Sequence, residues 1–321
     1  MMGSYRDDLM APPVAAPSFG AAHLGGYYAG AIWDEVCTAT GSTDINTGSK
    51  TLTIAAGSWP FYYGQQLRVA PGPTNAGQVF MNGTVVSLLG TELGIEISSV
   101  EGTGTFSDWV IAARWKVLVA SKSGGEIEGL AYKNANTEAP SACWTLTSGK
   151  RATDAMIAAG DATVYPLAHW AASLRTTDGT GLAGHDDWYI PARDELELIF
   201  RNLKPITGPN YAAEDRQNAN PYTKNANKDD LTIWTGSNLN SFPEGSAYTV
   251  SIPGQTAALP FRISASEALE FGFSYYWSSS EGDAASAWFQ YAYGGYYGWQ
   301  YYYDKTFSSG VRARAVRRSI L

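Results

Sequence analysis

The sequence predicts an α+β protein in which a small all-β domain sits inside a larger mixed one. Three observations carry that expectation. Residues 34–112 hold short β-branched runs separated by glycine-rich turns, "KTLTIAAG", "QQLRVAPG", "GTVVSLLG", "TELGIEISSVEGTGTF" and "SDWVIAA", the spacing of a small sandwich or barrel. Residues 191–205, "PARDELELIFRNLKP", carry an amphipathic helical stripe. The last fifty residues return to strand-like runs rich in aromatics.

Along the chain, residues 1–23 are Ala/Pro-rich without periodicity and read as an arm or attachment segment. "LGGYYAGAIW" at 24–33 reads as a strand, followed by the all-β segment 34–112. "GTGTF" at 102–106 has no helical pattern after it, so it reads as a hairpin turn and not a phosphate loop. From 113 the texture changes: a strand over Lys116–Ala120, helical segments over 150–174 interrupted near Gly160 and Pro166, and a strand over 186–190. In the 191–205 helix, Pro191 suits the first turn, Asp194 and Glu195 complement the positive end of the dipole, and Pro205 ends it. Leu196, Ile199, Phe200 and Leu203 fall on one buried stripe. Residues 205–255, rich in Asn, Pro, Gly and Ser, read as a long irregular stretch.

The 321-residue chain has a net charge of −8 and only 16% charged residues. Such a chain is a poor general binder of nucleic acid or of an anionic membrane. "VRARAVRR" at 311–318 alternates like a strand and reads as a sheet edge with ion-paired arginines. Cys37 and Cys143 have no short-range partner and read as buried free thiols. No run reaches the ~18 apolar residues of a membrane span, and "MMGSYRDDLM" lacks the pattern of a classical signal.

From Trp288 to Tyr303 lie seven tyrosines, two tryptophans and one phenylalanine, and no charged residue. A core prefers Leu, Ile and Val, yet none occurs from 282 to 310. Tyrosine with Gly, Ser and Asn is the composition of antibody paratopes, where it offers large area and few torsions to freeze. An exposed patch of this kind marks an interaction site. If 287–293 is a strand, Trp288, Gln290 and Ala292 share one face, read as scaffold. Phe289, Tyr291 and Tyr293 share the other, read as a presented surface continued by Tyr296 and Tyr297.

The C-terminal motifs "YYWSSSE" (275–281), "AWFQ" (287–290), "GWQYYYDK" (298–305) and "VRARAVRR" (311–318) resemble the Lcl-type C-terminal domain family. Its fold is C-type-lectin-like, and it occurs in phage tail proteins, bacterial adhesins and the variable proteins of diversity-generating retroelements. "GGYYAG", "KVLVASKSGGE" and "DDWYIPARDELELIFRNLKP" add to the resemblance. It covers residues 24–33 plus 113–321 and leaves 34–112 as a domain inserted after the first strand. Two features depart from the family pattern. The segment from Ala287 to Lys305 is a few residues longer, and Ala292 stands where an aromatic is common.

The resemblance implies a variable region at about 282–309. In such proteins template adenines are randomised, which cannot produce Trp, Gln or Lys. Trp288, Gln290, Trp299, Gln300 and Lys305 would then be fixed. The resemblance implies Trp277, Trp288, Gln290 and Arg314 as scaffold. It implies Asp283, Phe289, Tyr291, Tyr293, Tyr296, Tyr297, Tyr301, Tyr302 and Tyr303 as ligand contacts. Trp299 stands in both groups.

The function expected is non-enzymatic recognition of a host-cell receptor, protein or glycan, by a phage tail-fibre or tail-tip protein. It would sit in the virion among other tail proteins, as a homotrimer, without nucleic-acid binding or membrane insertion. A bacterial cell-surface adhesin is the alternative, and a glycan hydrolase a distant third. No cofactor or metal is expected. His185-Asp186-Asp187 reads as a capped turn rather than a cation site, the calcium-dependent sugar motifs of lectins are absent, and the "WSSSE" serines lack a G-x-S-x-G elbow. The catalytic cysteines of the related formylglycine-generating enzymes have no counterpart.

Overall fold

A computed structural model describes residues 15–57, 59–72, 79–175, 180–208, 210, 238, 240–246, 248–249, 251–270, 274–292 and 300–321. The protein is mixed α+β and dominated by strands, which form two sheets. In chain order the strands are β1 (Ala22–His23), β2 (Gly26–Asp44), β3 (Gly48–Ile54), β4 (Gln66–Pro71), β5 (Phe80–Leu89), β6 (Glu92–Glu101), β7 (Thr105–Val119), β8 (Glu126–Glu128), β9 (Ser241–Phe242), β10 (Tyr275–Glu281), β11 (Ser286–Tyr291), β12 (Gln300–Asp304), β13 (Val311–Arg314) and β14 (Val316–Ile320). The α-helices are α1 (Lys122–Gly125), α2 (Gly149–Ala159), α3 (Pro166–Ser173) and α4 (Arg193–Leu203). Among the described residues no helix is long and apolar enough to cross a membrane.

The chain divides into two compact units. Trp33–Trp115 with Ile320–Leu321 form one, and Ala16–Ile32 with Lys116–Ser319 form the other. The boundaries Trp33 and Trp115 lie beside the 34 and 112 drawn from sequence. The expectation that one strand ends before the insertion is corrected. β2 continues to Asp44, and β7 joins the separately expected 107–113 and 116–120 strands into one. No proline interrupts either strand, so alternation and pairing carry on. The arm expected at 1–23 is corrected for residues 16–23, which belong to the second unit. There β1 pairs with β2, Phe19 stacks on Tyr28, and the Gly20 N–H donates to the Tyr28 carbonyl at 2.7 Å. Residues 1–14 lie outside the described ones.

In the first unit the strands run β2-β3-β6-β5-β4-β7, and β2 also pairs with β7, so the path returns on itself. The period-2 pattern sends Leu52, Ile54, Leu67, Val69, Met81, Val85, Leu93, Ile95, Ile97, Trp109 and Ile111 into one core. Each such aliphatic contributes about 1.5–3 kcal/mol by burial. Trp109, fully buried, donates its indole N–H to the Gly41 carbonyl at 2.7 Å. At Gly83, where β5 slips register, any Cβ would sit 2.6 Å from the Glu96 carbonyl oxygen.

The second unit carries the sheet β12-β11-β10-β13-β8, antiparallel except for the parallel pair β10–β13. Helices α2 and α3 bury Ala152, Met156, Leu167, Ala168 and Ala171 in a core with Tyr132, Cys143 and Trp277. The expected break falls between them, with Pro166 opening α3. Leu196, Ile199, Phe200 and Leu203 of α4 are buried as the stripe required, but the polar side of the helix is buried too. Glu195 accepts from the N–H groups of Ala192 (2.8 Å) and Gly149 (3.1 Å). Glu197 accepts from Arg201, Tyr248 and Asn238. Pro191 lies just before the capping residue Ala192 and not inside the first turn.

Two further expectations are corrected. Residues 186–190 form only a single bridge, Tyr189 to Val316, because the Ile190 N–H donates to the Thr153 hydroxyl at 3.1 Å and the helix begins directly after Pro191. The basic run is stranded and ion-paired in two pieces: β13 lies inside the five-stranded sheet, not at its edge, whereas β14, which carries Arg317 and Arg318, ends the strand path of the other sheet. Arg314 is 1% exposed, donating to the Ala120 carbonyl at 2.8 Å and pairing with Glu126 (3.2 Å) and Glu267 (2.7 Å). Arg312 pairs with Glu126 and Arg317 with Asp187.

Cys37 and Cys143 are free and buried. Burial pushes the Cys37 thiol up to about 12 and the Cys143 thiol to about 11. Raised folded values favour the native state below the ordinary thiol range, and that contribution fades as pH rises through the folded values. The native protein is therefore expected to leave both thiols unreactive toward Ellman's reagent at about pH 8 and to release both in guanidinium. A fast-reacting thiol in native buffer contradicts this packing.

Candidate binding face

The register across β10, β11 and β12 aligns Trp277 with Phe289 and Tyr301, Tyr275 with Tyr291, and Ala287 with Tyr303. These side chains share one face. Tyr276, Gln290 and Gln300, with the pair Trp288 and Tyr302, share the other. The alternation inferred from sequence therefore holds, with Trp288 and Gln290 opposite in sense to Phe289 and Tyr291.

The first face changes from core to surface along its length. Trp277 and Ala287 are fully buried and Phe289 is 3% exposed. Tyr275, Tyr291, Tyr301 and Phe307 are half-buried, and Tyr303 is 46% exposed. The rings are interlocked edge-to-face: Trp277–Phe289 at 5.7 Å, Tyr275–Tyr291 at 4.8 Å, Phe289–Tyr303 at 6.1 Å and Tyr303–Phe307 at 4.9 Å. Such pairs add about 0.5–1.5 kcal/mol each beyond their burial. Phe289 is thus a core residue, a correction of its expected contact role. Its register opposite Trp277 places it beneath the tyrosines it was grouped with.

The second face is covered by α4. Gln300 donates its amide N–H to the Arg193 carbonyl at 2.8 Å. The Arg193 guanidinium lies 5.1 Å from the centroid of the half-buried Trp288 ring, which also meets Tyr302 edge-on at 5.3 Å. Gln290 is buried as expected of scaffold, but among the described residues neither Nε2 nor Oε1 of its amide finds a partner. The expectation that scaffold amides find fixed partners holds for Gln300 Nε2 and is corrected for Gln290.

The two ends of the ribbon meet in one buried ion pair. Lys305, following β12, contacts Glu281, the last residue of β10, and both side chains are 0% exposed. The Lys305 ammonium also donates to the carbonyls of Ala284 (2.9 Å) and Thr137 (3.1 Å). Glu281 accepts from the Ala139 N–H at 2.8 Å. Between these anchors, the β10–β11 turn is held by Asp283, whose carboxylate accepts from the Ala285 N–H at 2.8 Å. Asp283 is half-buried, so its turn-capping role stands beside its expected contact role. Tyr302 pairs in register with Trp288 on the second face, yet its ring stacks on that of Tyr301 at 5.3 Å with the planes 3° apart. Tyr293, Tyr296, Tyr297 and Trp299 lie outside the described residues.

The serines of "WSSSE" build the frame. Ser278 donates to the Trp288 carbonyl at 2.9 Å. Ser280 donates to the Thr145 carbonyl at 2.7 Å and accepts from the Arg193 N–H. Asp187 is engaged by Arg317 at 2.7 and 3.1 Å. Among the described residues no group of three or more His, Cys, Asp or Glu is placed to hold a metal ion.

No family model matches the chain, and neither a curated protein nor a solved structure matches it.

Tyr275 and Phe307 join the face without having been named as contacts. The i, i+2 spacing of Tyr275 from Trp277 was the available signal. The pairing of Glu281 with Lys305 spans residues that sequence spacing does not connect.

Three substitutions separate frame from surface. Phe289→Ala is expected to cost about 3–5 kcal/mol in chemical denaturation. Lys305→Met, which strands a buried carboxylate, is expected to cost a similar ~3–5 kcal/mol, with part recovered when Glu281→Leu is added. Gln290→Met is expected to raise stability by about 1 kcal/mol, since it removes an unsatisfied buried amide. A marked loss in this last variant points to a partner for the amide.

Proposed function

We propose that the protein recognises a receptor non-covalently through the aromatic face of β10, β11 and β12. On this reading the second unit is a C-type-lectin-like domain of the kind its closing motifs resemble. The whole is a phage tail-fibre or tail-tip protein acting in the virion with other tail proteins. The observation that carries the reading is the gradation of one sheet face from the sealed Trp277 and Phe289 to the 46% exposed Tyr303. A core that surfaces as half-buried phenols presents rigid contact area whose orientation is fixed before binding. An anchor fully buried on binding contributes ~2 kcal/mol or more. Support for the lectin-type frame comes from a mixed five-stranded sheet whose two faces meet α2 and α4. A homotrimer, or several fibres, would add avidity to a weak single site. The absence of Leu, Ile and Val from 282 to 310 agrees with a ribbon that a retroelement diversifies between fixed ends.

The test is the double variant Tyr301→Ala/Tyr303→Ala, assayed for adsorption to cells that bind the unmodified protein. Binding is expected to fall by more than about tenfold, with native far-UV circular dichroism and cooperative unfolding retained. Unfolding of the variant places these rings in the core's support; retained binding removes the face from recognition. Sequencing the gene and its surroundings checks diversification: a near-copy of the 3′ end with adenines at the differing positions is expected, and its absence rejects it.

A further inference from the structure

We propose that the aromatic face takes a cationic protein segment, one whose lysine or arginine side chains reach the phenol rings and their carboxylate rim. This rests on the binding-face reading above and names the chemistry of its partner.

The argument is a count of charge on the ribbon. From Gly282 to Gly310 the only charged residues are Asp283, Asp304 and Lys305. Lys305 is fully buried and spent on Glu281 and two carbonyls, so the cation never reaches the surface. Asp283 and Asp304 are both partly exposed. The neighbouring segment 133–138 repeats the pattern. Lys133 is 5% exposed and donates to the carbonyls of Thr137 (3.1 Å) and Glu138 (2.6 Å), while the Glu138 side chain is exposed. That segment adjoins the ribbon directly, since the Asn136 amide donates to the Asp304 carboxylate at 2.9 Å and the Lys133 N–H donates to the Lys305 carbonyl. In these two segments both lysines are buried and each carboxylate is at least partly exposed. Hydrogen bonds from Thr306 and Asn136 hold the Asp304 carboxyl below its usual range, so its charge persists in mildly acidic media.

A surface so built repels phosphorylated or carboxylated ligands and attracts cations. Phenol faces add to this, because an ammonium or guanidinium over an aromatic ring gains about 0.5–2 kcal/mol. The chain uses that pairing itself, with Lys133 over Tyr165 and Arg193 over Trp288. The ring packing favours a protein over a saccharide. Among the described residues Tyr275 with Tyr291 and Tyr303 with Phe307 meet at 77° and 75°, an interlocked relief, and the parallel rings of Tyr301 and Tyr302 stack on each other.

The test pans a random linear peptide display library, and in parallel an array of neutral and acidic glycans, against the full chain. Tyr303→Ala serves as counter-selection. Tyr303-dependent peptides enriched in Lys and Arg are expected, losing about tenfold in affinity between ~50 and ~300 mM salt. The variant Asp283→Asn/Asp304→Asn/Glu138→Gln is expected to weaken them by about tenfold or more. The barrel variant Glu92→Gln/Glu101→Gln/Asp108→Asn, with the same charge change, is expected to stay within about twofold. Should the rim triple variant fold poorly, Glu138→Gln alone and the salt titration of the unmodified chain carry the comparison. Tyr303-dependent peptides without cationic bias, or Tyr303-dependent glycan binding, overturn the cationic-partner inference while the binding face stands. No Tyr303-dependent ligand of any class overturns both.

Discussion

The buried contact between Lys305 and Glu281 is the constraint on which the rest of the second unit turns. It joins the end of β10 to the residue after β12, so everything between them is a loop of chain closed at its base. Two charges sealed from water are costly unless paired and hydrogen-bonded. Here the carbonyls of Ala284 and Thr137 and the N–H of Ala139 supply further bonds, the last to the same Glu281 oxygen that meets Lys305, while Glu281 Oε2 finds no hydrogen-bond partner among the described residues. The pair therefore fixes one geometry, since displacing either member strands the other.

Above that base, the same strand pairing builds the core and orients the tyrosines at its surface. Phe289 and Trp277 fill the core, and the tyrosines one register further stand on them like tiles on a substrate. Their orientation is set by edge-to-face contact with buried rings, so little rotamer freedom remains to be lost on binding. On the opposite face α4 covers Gln300 and Trp288, and its first residues accept the ribbon through Arg193. Among the described residues the covering is chemically incomplete at the Gln290 amide and at Gln300 Oε1, which find no hydrogen-bond partner. The first unit follows a different logic: among the described residues its strand path returns on itself through the pairing of β2 with β7.

The sequence by itself determined what depends on local pattern. Period-2 runs fixed the barrel strands and the opposite senses of Trp288 and Phe289, and i, i+3, i+4 spacing fixed the buried stripe of α4. Composition showed that 282–310 lacks the aliphatics of an ordinary core. Only tertiary structure decided which face of β11 was sealed, because alternation states that two faces differ and not which one meets a partner layer. Phe289 was placed outward for that reason, and the register against Trp277 turned it inward. The same limit explains the run of 186–190, where a threonine from α2 claimed the N–H that a strand would have used, and the burial of the polar side of α4. The partner of Lys305 lay 24 residues away in sequence and became its neighbour only when β10, β11 and β12 paired. Local pattern follows from the geometry of a single strand or helix; burial and ion pairing follow from what the rest of the chain brings against it.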